Sequence, residues 1–184
     1  MPEPERPTPT LRRARLDEAN AIDALMKAST RDLFPGWYEA EQTASAIEYV
    51  ASVDRTLIGD GTYFVAEADG ELVACGGWSR RDKMYAGAGD AAGDGRLLDP
   101  ATEPARIRAM FVRSDWTRRG LGRRILEACE AAARAEGFSR LVLGATLPGL
   151  PFYEAYGFRA TEDEVVTMPN GVDIAAVLME MPLD

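Results

Sequence analysis

A strand, a tight glycine turn and an amphipathic helix follow one another without interruption over residues 104–136. Residues 106–112 are rich in apolar and β-branched side chains, which predicts a strand. From Gly120 onward the apolar residues recur at helical spacing, and Gly137 is a natural helix stop. A strand that turns directly into a helix brings unpaired helix N–H groups to the end of the strand. The stretch therefore predicts a mixed α/β fold with an anion-binding turn.

Two glycines and four arginines mark this turn. Gly120 and Gly122 let backbone amides approach a ligand closely, because neither carries a Cβ. The unpaired N–H groups and the dipole of a helix N-terminus favour an anion at the same place. The four arginines that surround the glycines, in a chain that is otherwise acidic, are Arg118, Arg119, Arg123 and Arg124. The turn therefore predicts a phosphorylated ligand, although arginines on a helix are also common as a solvated face.

Known phosphate-binding motifs fit the turn only in part. A P-loop is excluded, because no Gly-Lys-Ser/Thr follows the glycines. A dinucleotide fingerprint needs a third glycine, and Ile125 stands where that glycine would be. A nucleotide-binding domain that uses the arginines stays as an alternative. It predicts tight binding of ATP or NAD with no dependence on an acyl group.

Charge and residue content exclude several partners and chemistries. The 184 residues carry a net charge of −9, which disfavours nucleic acid and anionic membranes as partners. The chain has no histidine, so Ser-His or Cys-His catalysis and a histidine-ligated metal are excluded. Cys75 and Cys129 fit no metal or redox spacing, and residues 1–13 contain no apolar signal core. We therefore expect no metal, no secretory signal and a cytoplasmic location.

Strand and helix patterns alternate along the chain in the order β-α-α-β-β-β-α-β-α-β-β. Residues 1–9 contain four prolines and are expected to form a disordered tail ahead of a single domain at 10–184. Asp69-Gly70 predicts a β-hairpin in the middle of the chain. Residues 80–103 hold four glycines and few large apolar residues, which predicts a long loop between two strands.

A second short stretch, FYEAYGF at 152–158, predicts a helix that ends at Gly157. Together with residues 117–122, TRRGLG, it resembles the GNAT acetyltransferases. Their coenzyme A motif is Arg/Gln-x-x-Gly-x-Gly/Ala, and a later short helix carries a tyrosine ahead of Gly-Phe. Thr117 departs from the first position of the motif. The two motifs occur in the same order as in the family. Together with the hairpin they span roughly residues 60–165.

The resemblance implies a fold, a cosubstrate and a set of ligand-binding residues. The fold is α/β (α+β), with a mixed, mostly antiparallel central sheet of about six or seven strands flanked by helices. The cosubstrate is acetyl-coenzyme A (acetyl-CoA), whose pantetheine arm pairs with a strand that splays from its neighbour. The residues implied are Met110, Phe111 and Val112 for the arm, Arg118, Arg119, Gly120, Leu121, Gly122 and Arg123 for the pyrophosphate, and Thr146 where the family often has asparagine.

The resemblance also implies that Tyr153 is the catalytic residue of an N-acetyltransferase. A phenol is a neutral donor at pH 7, so it can protonate the departing thiolate while a primary amine attacks the acetyl carbonyl directly. The backbone N–H of Phe111 or Val112 would steady the oxyanion. The alternative for Tyr153 is an aromatic residue that only packs on the sheet. The alternative for the chain is a non-catalytic acyl-CoA-binding domain on the same fold.

The sequence leaves the acceptor amine and the general base open. Four carboxylates are base candidates by residue type, and each is also an ordinary surface acid: Glu39, Glu41, Glu67 and Glu103. Residues 17–53 and the loop at 80–103 would line the acceptor side, the loop either as a lid or as a mere insertion. Trp37 and Tyr38 would hold an amine by cation–π contact or simply pack at the edge of the core. We expect the acetyl acceptor to be a small-molecule or peptide amine. The resemblance also allows the protein to form a homodimer.

Overall fold

The computed structural model describes residues 7–85 and 95–184, so the predicted tail lies mostly outside the described residues. The strands and helices of the described part have the following bounds: β1 Thr10–Arg13, α1 Ala19–Leu33, α2 Ala40–Tyr49, α3 Arg55–Gly59, β2 Tyr63–Ala68, β3 Glu71–Ser79, β4 Ala105–Val112, α4 Leu121–Ala135, β5 Arg140–Thr146, α5 Leu150–Tyr156, β6 Arg159–Thr167 and β7 Asp173–Pro182. Within these two ranges, no helix combines the length and apolar content needed to cross a bilayer.

One mixed sheet runs through the molecule in the order β1-β2-β3-β4-β5-β7-β6. Neighbouring strands are antiparallel except β4 and β5, which are parallel. Helix α4 buries Leu126 against residues such as Leu141 on one face of the sheet. Helix α1 buries Ile22 against residues such as Val65 on the other face. The predicted α/β class, with a mostly antiparallel sheet flanked by helices, is confirmed.

The region between β1 and β2 differs from the predicted order, which has two helices there where the structure has three. Helix α2 ends at Tyr49, earlier than the helical pattern suggests. Asp54 then caps a new helix, α3, by accepting a hydrogen bond from the Thr56 N–H at 3.0 Å. The apolar periodicity continues across this break, so the sequence pattern did not identify Asp54 as an N-cap.

The central hairpin has the predicted geometry. Asp69 and Gly70 join β2 to β3 with φ angles of 52° and 80°. A two-residue turn of type I′ requires positive φ at both central positions, which Asp-Gly tolerates well. The hairpin fixes β3, and β3 in turn fixes β4, the strand on which the cleft is built.

Candidate active site

Strands β4 and β5 pair only where they begin. Their register contains Ala105 opposite Leu141 and Arg106 opposite Val142. Beyond these pairs the strands diverge and a cleft of about 730 Å³ opens between them. At the far end of β4, the Ser29 hydroxyl donates to the Val112 carbonyl at 2.7 Å. A side chain thus satisfies a backbone group that a continuous sheet would have paired. This is the splay that the resemblance implies.

A β-bulge bends β4 beside the cleft. The register with β3 shifts at Gly76, which faces both Ala109 and Met110. Ala109 has a φ of 51°. A Cβ at Gly76 would overlap the Met110 sulfur, so the glycine makes room for that side chain. The Tyr63 hydroxyl donates to the Ala109 carbonyl at 2.7 Å and holds the bulge in place. Bulges of this kind commonly re-aim backbone groups next to active sites.

Replacing Tyr63 by phenylalanine should destabilise the protein by about 1–2 kcal/mol, because it leaves the Ala109 carbonyl without its donor. Urea denaturation followed by circular dichroism measures this loss as a lower midpoint. The ring of Tyr63 is buried, and phenylalanine preserves its packing. An unchanged midpoint would therefore mean that the hydroxyl does not hold the bulge.

The open edge of β4 presents the Val112 amide to the cleft. The Arg113 N–H donates to the Val73 carbonyl at 2.9 Å, and the Phe111 N–H is directed at the side chain of Cys75, its partner on β3. These two amides therefore face β3. Because successive N–H groups along a strand point to opposite sides, the Val112 N–H points toward the opening. Of the two predicted oxyanion donors, the geometry favours Val112.

The glycine turn shapes the N-terminus of α4. Gly120 is the N-cap, with a φ of 77°, and Arg118 just before it has a φ of 61°. No atom lies within 4 Å of a Cβ built on Gly120, so this glycine borders open space. A Cβ on Gly122 would lie 3.0 Å from the Phe152 ring. One glycine therefore turns the chain, and the other lets α5 approach while the helix end stays open.

The four arginines of the turn do not act as one cluster. Arg118 and Arg123 line the cleft. Arg119 lies outside the cleft lining, with its guanidinium 5.0 Å from the centre of a tryptophan ring. Arg124 turns away and donates to the Pro9 carbonyl at 3.0 Å. Two arginines are thus placed at the cleft, and Arg119 as a pyrophosphate ligand stays a prediction.

The cleft is electropositive at this end. Its lining includes no aspartate or glutamate among the residues that the structure describes. Arg123 has an ion pair with Glu127 at 3.2 Å, but both side chains are more than half exposed. Arg118 has no acidic partner within the described ranges. The helix N-terminus and these two cations together suit an anionic group such as a diphosphate.

Tyr153 lies in the wall of the cleft, on α5, and is only 9% exposed. A Cβ at Gly149 would lie 2.9 Å from its ring, so this glycine makes room for the tyrosine. The ring packs against Phe152 and Phe158 at centroid distances of 5.1 and 5.8 Å. Its hydroxyl has no hydrogen-bond partner in the described part of the chain. Burial raises the pKa of Tyr153 above its ordinary value, so the phenol keeps its proton throughout the neutral range.

The structure brings ten of the eleven predicted site residues around the cleft, and Arg119 is the exception. The ten are Met110, Phe111, Val112, Arg118, Gly120, Leu121, Gly122, Arg123, Thr146 and Tyr153. Leu121 is 3% exposed and packs into the core beneath the turn, so it offers the cleft its backbone. Thr146 is the last residue of β5. Its hydroxyl has no partner among the described residues.

The four candidate bases lie elsewhere. Glu39 and Glu41 border a separate shallow pocket near residues 170–173. Glu67 pairs with an arginine of β1 at 2.6 Å, and Glu103 pairs with an arginine of the loop at 2.5 Å. None of the four belongs to the cleft lining. Each is accounted for as a surface carboxylate.

The glycine-rich loop reaches the cleft at its beginning, while residues 86–94 lie outside the described residues. Met84 and Tyr85 are part of the lining. The Tyr85 hydroxyl donates to a carboxylate oxygen of Glu164 at 2.6 Å. Sequence reasoning missed this pair, because the two residues are 79 positions apart and belong to no local motif.

The two aromatic residues of the α1–α2 connection have different positions. Trp37 lines the cleft and is 50% exposed. Tyr38 is buried, and its hydroxyl donates to the Ala175 carbonyl at 2.7 Å and accepts from the Leu147 N–H at 2.9 Å. Trp37 is therefore available to a ligand, whereas Tyr38 fixes the position of β7 relative to β5.

A buried ion pair forms the floor of the half of the cleft that lies away from the glycine turn. Arg108 is 3% exposed and donates to Asp54 at 3.1 Å and to the Lys83 carbonyl at 3.2 Å. Burial alone would raise the pKa of Asp54, but Arg108 and Lys83 outweigh it and hold that pKa below its ordinary value. The pair is buried and partnered, so it ties β4 to α3 and to the loop. Arg108 is an isolated arginine in a strand pattern, so the sequence did not predict this ion pair.

Comparisons with known proteins agree with this fold. The family model described as the Acetyltransferase (GNAT) family matches residues 22–158. A search of curated proteins gives no significant match.

Several solved structures have the same fold over nearly the whole chain. A GCN5-related N-acetyltransferase from Rhodopseudomonas palustris is 22% identical, with a TM-score of 0.74 and coverage of 98% of this chain and 99% of that one. The PaiA N-acetyltransferase from Thermoplasma acidophilum, in complex with coenzyme A, is 15% identical, with a TM-score of 0.67 and coverage of 96% and 99%. The yncA protein from Salmonella typhimurium, with its cofactor acetyl-CoA, is 18% identical, with a TM-score of 0.62 and coverage of 97% and 95%.

Proposed function

We propose that this chain, which belongs to the GNAT acetyltransferase family, transfers an acetyl group from acetyl-CoA to a primary amine. Acetyl transfer from acetyl-CoA follows from the family. The observation that carries the proposal is the cleft between β4 and β5, which ends at the glycine turn of α4. The proposed site belongs to a single domain at residues 10–184.

The residues of the cleft fit acetyl-CoA. The open edge of β4 at residues 110–112 can pair with the amide groups of the pantetheine arm, as an added strand would. The N–H groups around Gly120 and Gly122, with Arg118 and Arg123, can hold the pyrophosphate. Two similar proteins were solved with coenzyme A or acetyl-CoA, which supports this assignment. Thr146 would offer its hydroxyl to the arm.

The catalytic step needs a place for negative charge and a donor for the leaving group. Attack by an amine moves charge onto the acetyl oxygen, and the Val112 N–H is proposed to stabilise it. As the C–S bond breaks, the attacking nitrogen loses a proton to water and the leaving sulfur takes up a proton, which its donor then regains from water. Tyr153 is the proposed donor, because its buried hydroxyl stays protonated and is not committed to another described residue.

Release of free thiol on mixing acetyl-CoA with an amine tests this function. The expected result is amine-dependent release with acetylated amine as the second product, identified by mass spectrometry. Binding of acetyl-CoA without release, for all amines tried, would indicate the non-catalytic acyl-CoA-binding domain instead. Failure to bind acetyl-CoA would overturn both.

The protein's own thiols should not disturb that assay. Burial raises the pKa of Cys75 to about 12, and burial also raises the pKa of Cys129 above its ordinary value. Only a thiolate reacts readily with a disulfide reagent. The native protein at pH 8 should therefore react negligibly with dithiobis(nitrobenzoate), and the denatured protein should release two equivalents. Rapid labelling of the native protein would contradict the burial of both cysteines.

The cysteines bear on the compartment of the protein, and the family resemblance bears on its assembly. Both cysteines are free and buried, which suits a reducing cytoplasm. A homodimer is allowed by the family resemblance, and size-exclusion chromatography with light scattering would measure it directly.

A further inference from the structure

Tyr85 and Glu164 form a polar pair beside the apolar half of the cleft. Tyr85 lines the cleft, and its hydroxyl donates to Glu164 at 2.6 Å. The ring end lies directly on β5, because a Cβ at Gly144 would overlap the Tyr85 hydroxyl. The absence of a side chain at Gly144 is what allows the tyrosine to lie there. Both members of the pair are half-buried.

The strand register places Glu164 on the face of the sheet that the cleft uses. Ala176 of β7 lies opposite Thr146 of β5 and opposite Glu164 of β6. Directly opposite residues on neighbouring strands project from the same face. Thr146 and Ala176 both line the cleft. Glu164 is thus a carboxylate at the margin of the cleft, and the small side chain of Ala176 leaves room for Tyr85 to reach it.

Among the described residues, the rest of this half, here called the acceptor half, has mainly apolar or aromatic side chains. Its main side chains are Leu33, Phe34, Trp37, Met84, Met168 and Ile174. The buried Arg108 on its floor already interacts with Asp54. A second or third ammonium group on a ligand would lose its water here and find no counter-charge besides Glu164 among the described residues, which is unfavourable. An apolar group would gain from the same burial.

Given amine acetylation as proposed above, we propose that the acetyl acceptor is a primary amine carried on one apolar or aromatic group. The Tyr85 hydroxyl accepts a hydrogen bond from the nitrogen of this amine. A phenol has one proton and can also accept hydrogen bonds. The proton of Tyr85 points to Glu164, so its lone pairs are left for an N–H donor in the cleft. The carboxylate polarises the hydroxyl and makes it a better acceptor. Tyr85 then aligns the amine, and Glu164 acts through Tyr85.

A panel of three amines tests the substrate class: 2-phenylethylamine, n-hexylamine and spermidine at saturating acetyl-CoA. The two monoamines should exceed spermidine in kcat/KM by at least about tenfold, the discrimination that one filled apolar pocket can give. A preference for spermidine, or equal rates, would overturn the inferred class. Absence of thiol release with all three, despite acetyl-CoA binding, would instead count against amine acetylation itself.

Two independent substitutions test the role of Tyr85. Tyr85→Phe removes only the hydroxyl, and Gly144→Ala displaces that hydroxyl with a methyl group while leaving the tyrosine in the chain. Each should raise KM for 2-phenylethylamine by about tenfold, as loss of one hydrogen bond to a charged or polarised group does. Kd for acetyl-CoA and the melting temperature should change little, because the pair lies outside the cofactor half. An unchanged KM in both variants would overturn the role of Tyr85.

Glu164→Gln separates charge from hydrogen bonding, because glutamine can still accept from Tyr85. It should raise KM for the amine less than Tyr85→Phe does. The matched control is Asp163→Asn, which makes the same change of charge on the adjacent residue of β6, projecting from the opposite face of the strand. Asp163 is exposed. An equal effect of the two substitutions would mean that only the general field of the strand matters, and the assignment of Glu164 would fail.

Discussion

Replacing Tyr153 by phenylalanine should lower kcat for acetyl transfer by about 10²- to 10⁴-fold, the range for loss of a general acid. The phenol is buried in the cleft wall, and its hydroxyl has no partner in the described part of the chain. Phenylalanine keeps the contacts with Phe152 and Phe158, so the fold and Kd for acetyl-CoA should hold. Stopped-flow measurement of thiol release under single-turnover conditions isolates the chemical step from product release.

Tyr156 supplies a matched control on the same helix. Its hydroxyl donates to Glu130 at 2.6 Å, and it is not among the cleft-lining residues. Tyr156→Phe should therefore leave kcat nearly unchanged. If both variants retain full turnover, Tyr153 only packs on the sheet, and water must protonate the leaving thiolate. If both lose turnover equally, the loss comes from disturbance of α5 and not from a missing proton donor.

The double substitution Arg118→Ala with Arg123→Ala should weaken acetyl-CoA binding by at least roughly 100-fold. Each arginine lines the cleft near the helix N-terminus, and a charge-assisted hydrogen bond contributes about 1.5–3 kcal/mol. Isothermal titration measures Kd directly. The wild-type affinity should also fall as ionic strength rises, because exposed charges are screened, and the double variant should show a flatter dependence.

Arg124→Ala is the control from the same turn. Its side chain donates to the Pro9 carbonyl away from the cleft, so its removal should leave Kd within about twofold. Equal losses for Arg124→Ala and the double variant would mean that only the overall charge of the helix end matters. An unchanged Kd in the double variant would remove the pyrophosphate from this turn.

The sequence indicated more of the residues that line the glycine-turn end of the cleft than of those that line the acceptor half. Gly120 and Gly122 were identified from the turn between a strand and a helix, and Tyr153 from the resemblance of its short helix to the family. Tyr153 reaches the cleft only because β5 lies beside β4, whereas local spacing determines the glycine turn, since a strand, a turn and a helix follow one another directly. The hairpin at Asp69-Gly70 was predictable for the same reason.

The acceptor half depends on long-range register. Tyr85 approaches Glu164 only because β5, β7 and β6 lie side by side and because Gly144 has no side chain. Arg108 approaches Asp54 only after α3 has formed, and the short helix itself was missed. Neither pairing leaves a periodic pattern in the sequence. The orientation of the Val112 amide likewise follows from a one-residue shift of register, which no composition or spacing reveals.

The most direct test of the proposed site is the melting temperature of the wild-type protein with acetyl-CoA, with coenzyme A and with ATP. A ligand that binds only the native state must stabilise it, by about 2.7 kcal/mol at a concentration 100 times Kd. The cleft between β4 and β5 predicts an upward shift with both coenzyme A forms and little with ATP, because only the former carry a pantetheine arm for the open strand. No shift at saturating acetyl-CoA, or an equal shift with ATP, would contradict the assignment of the cleft to acetyl-CoA.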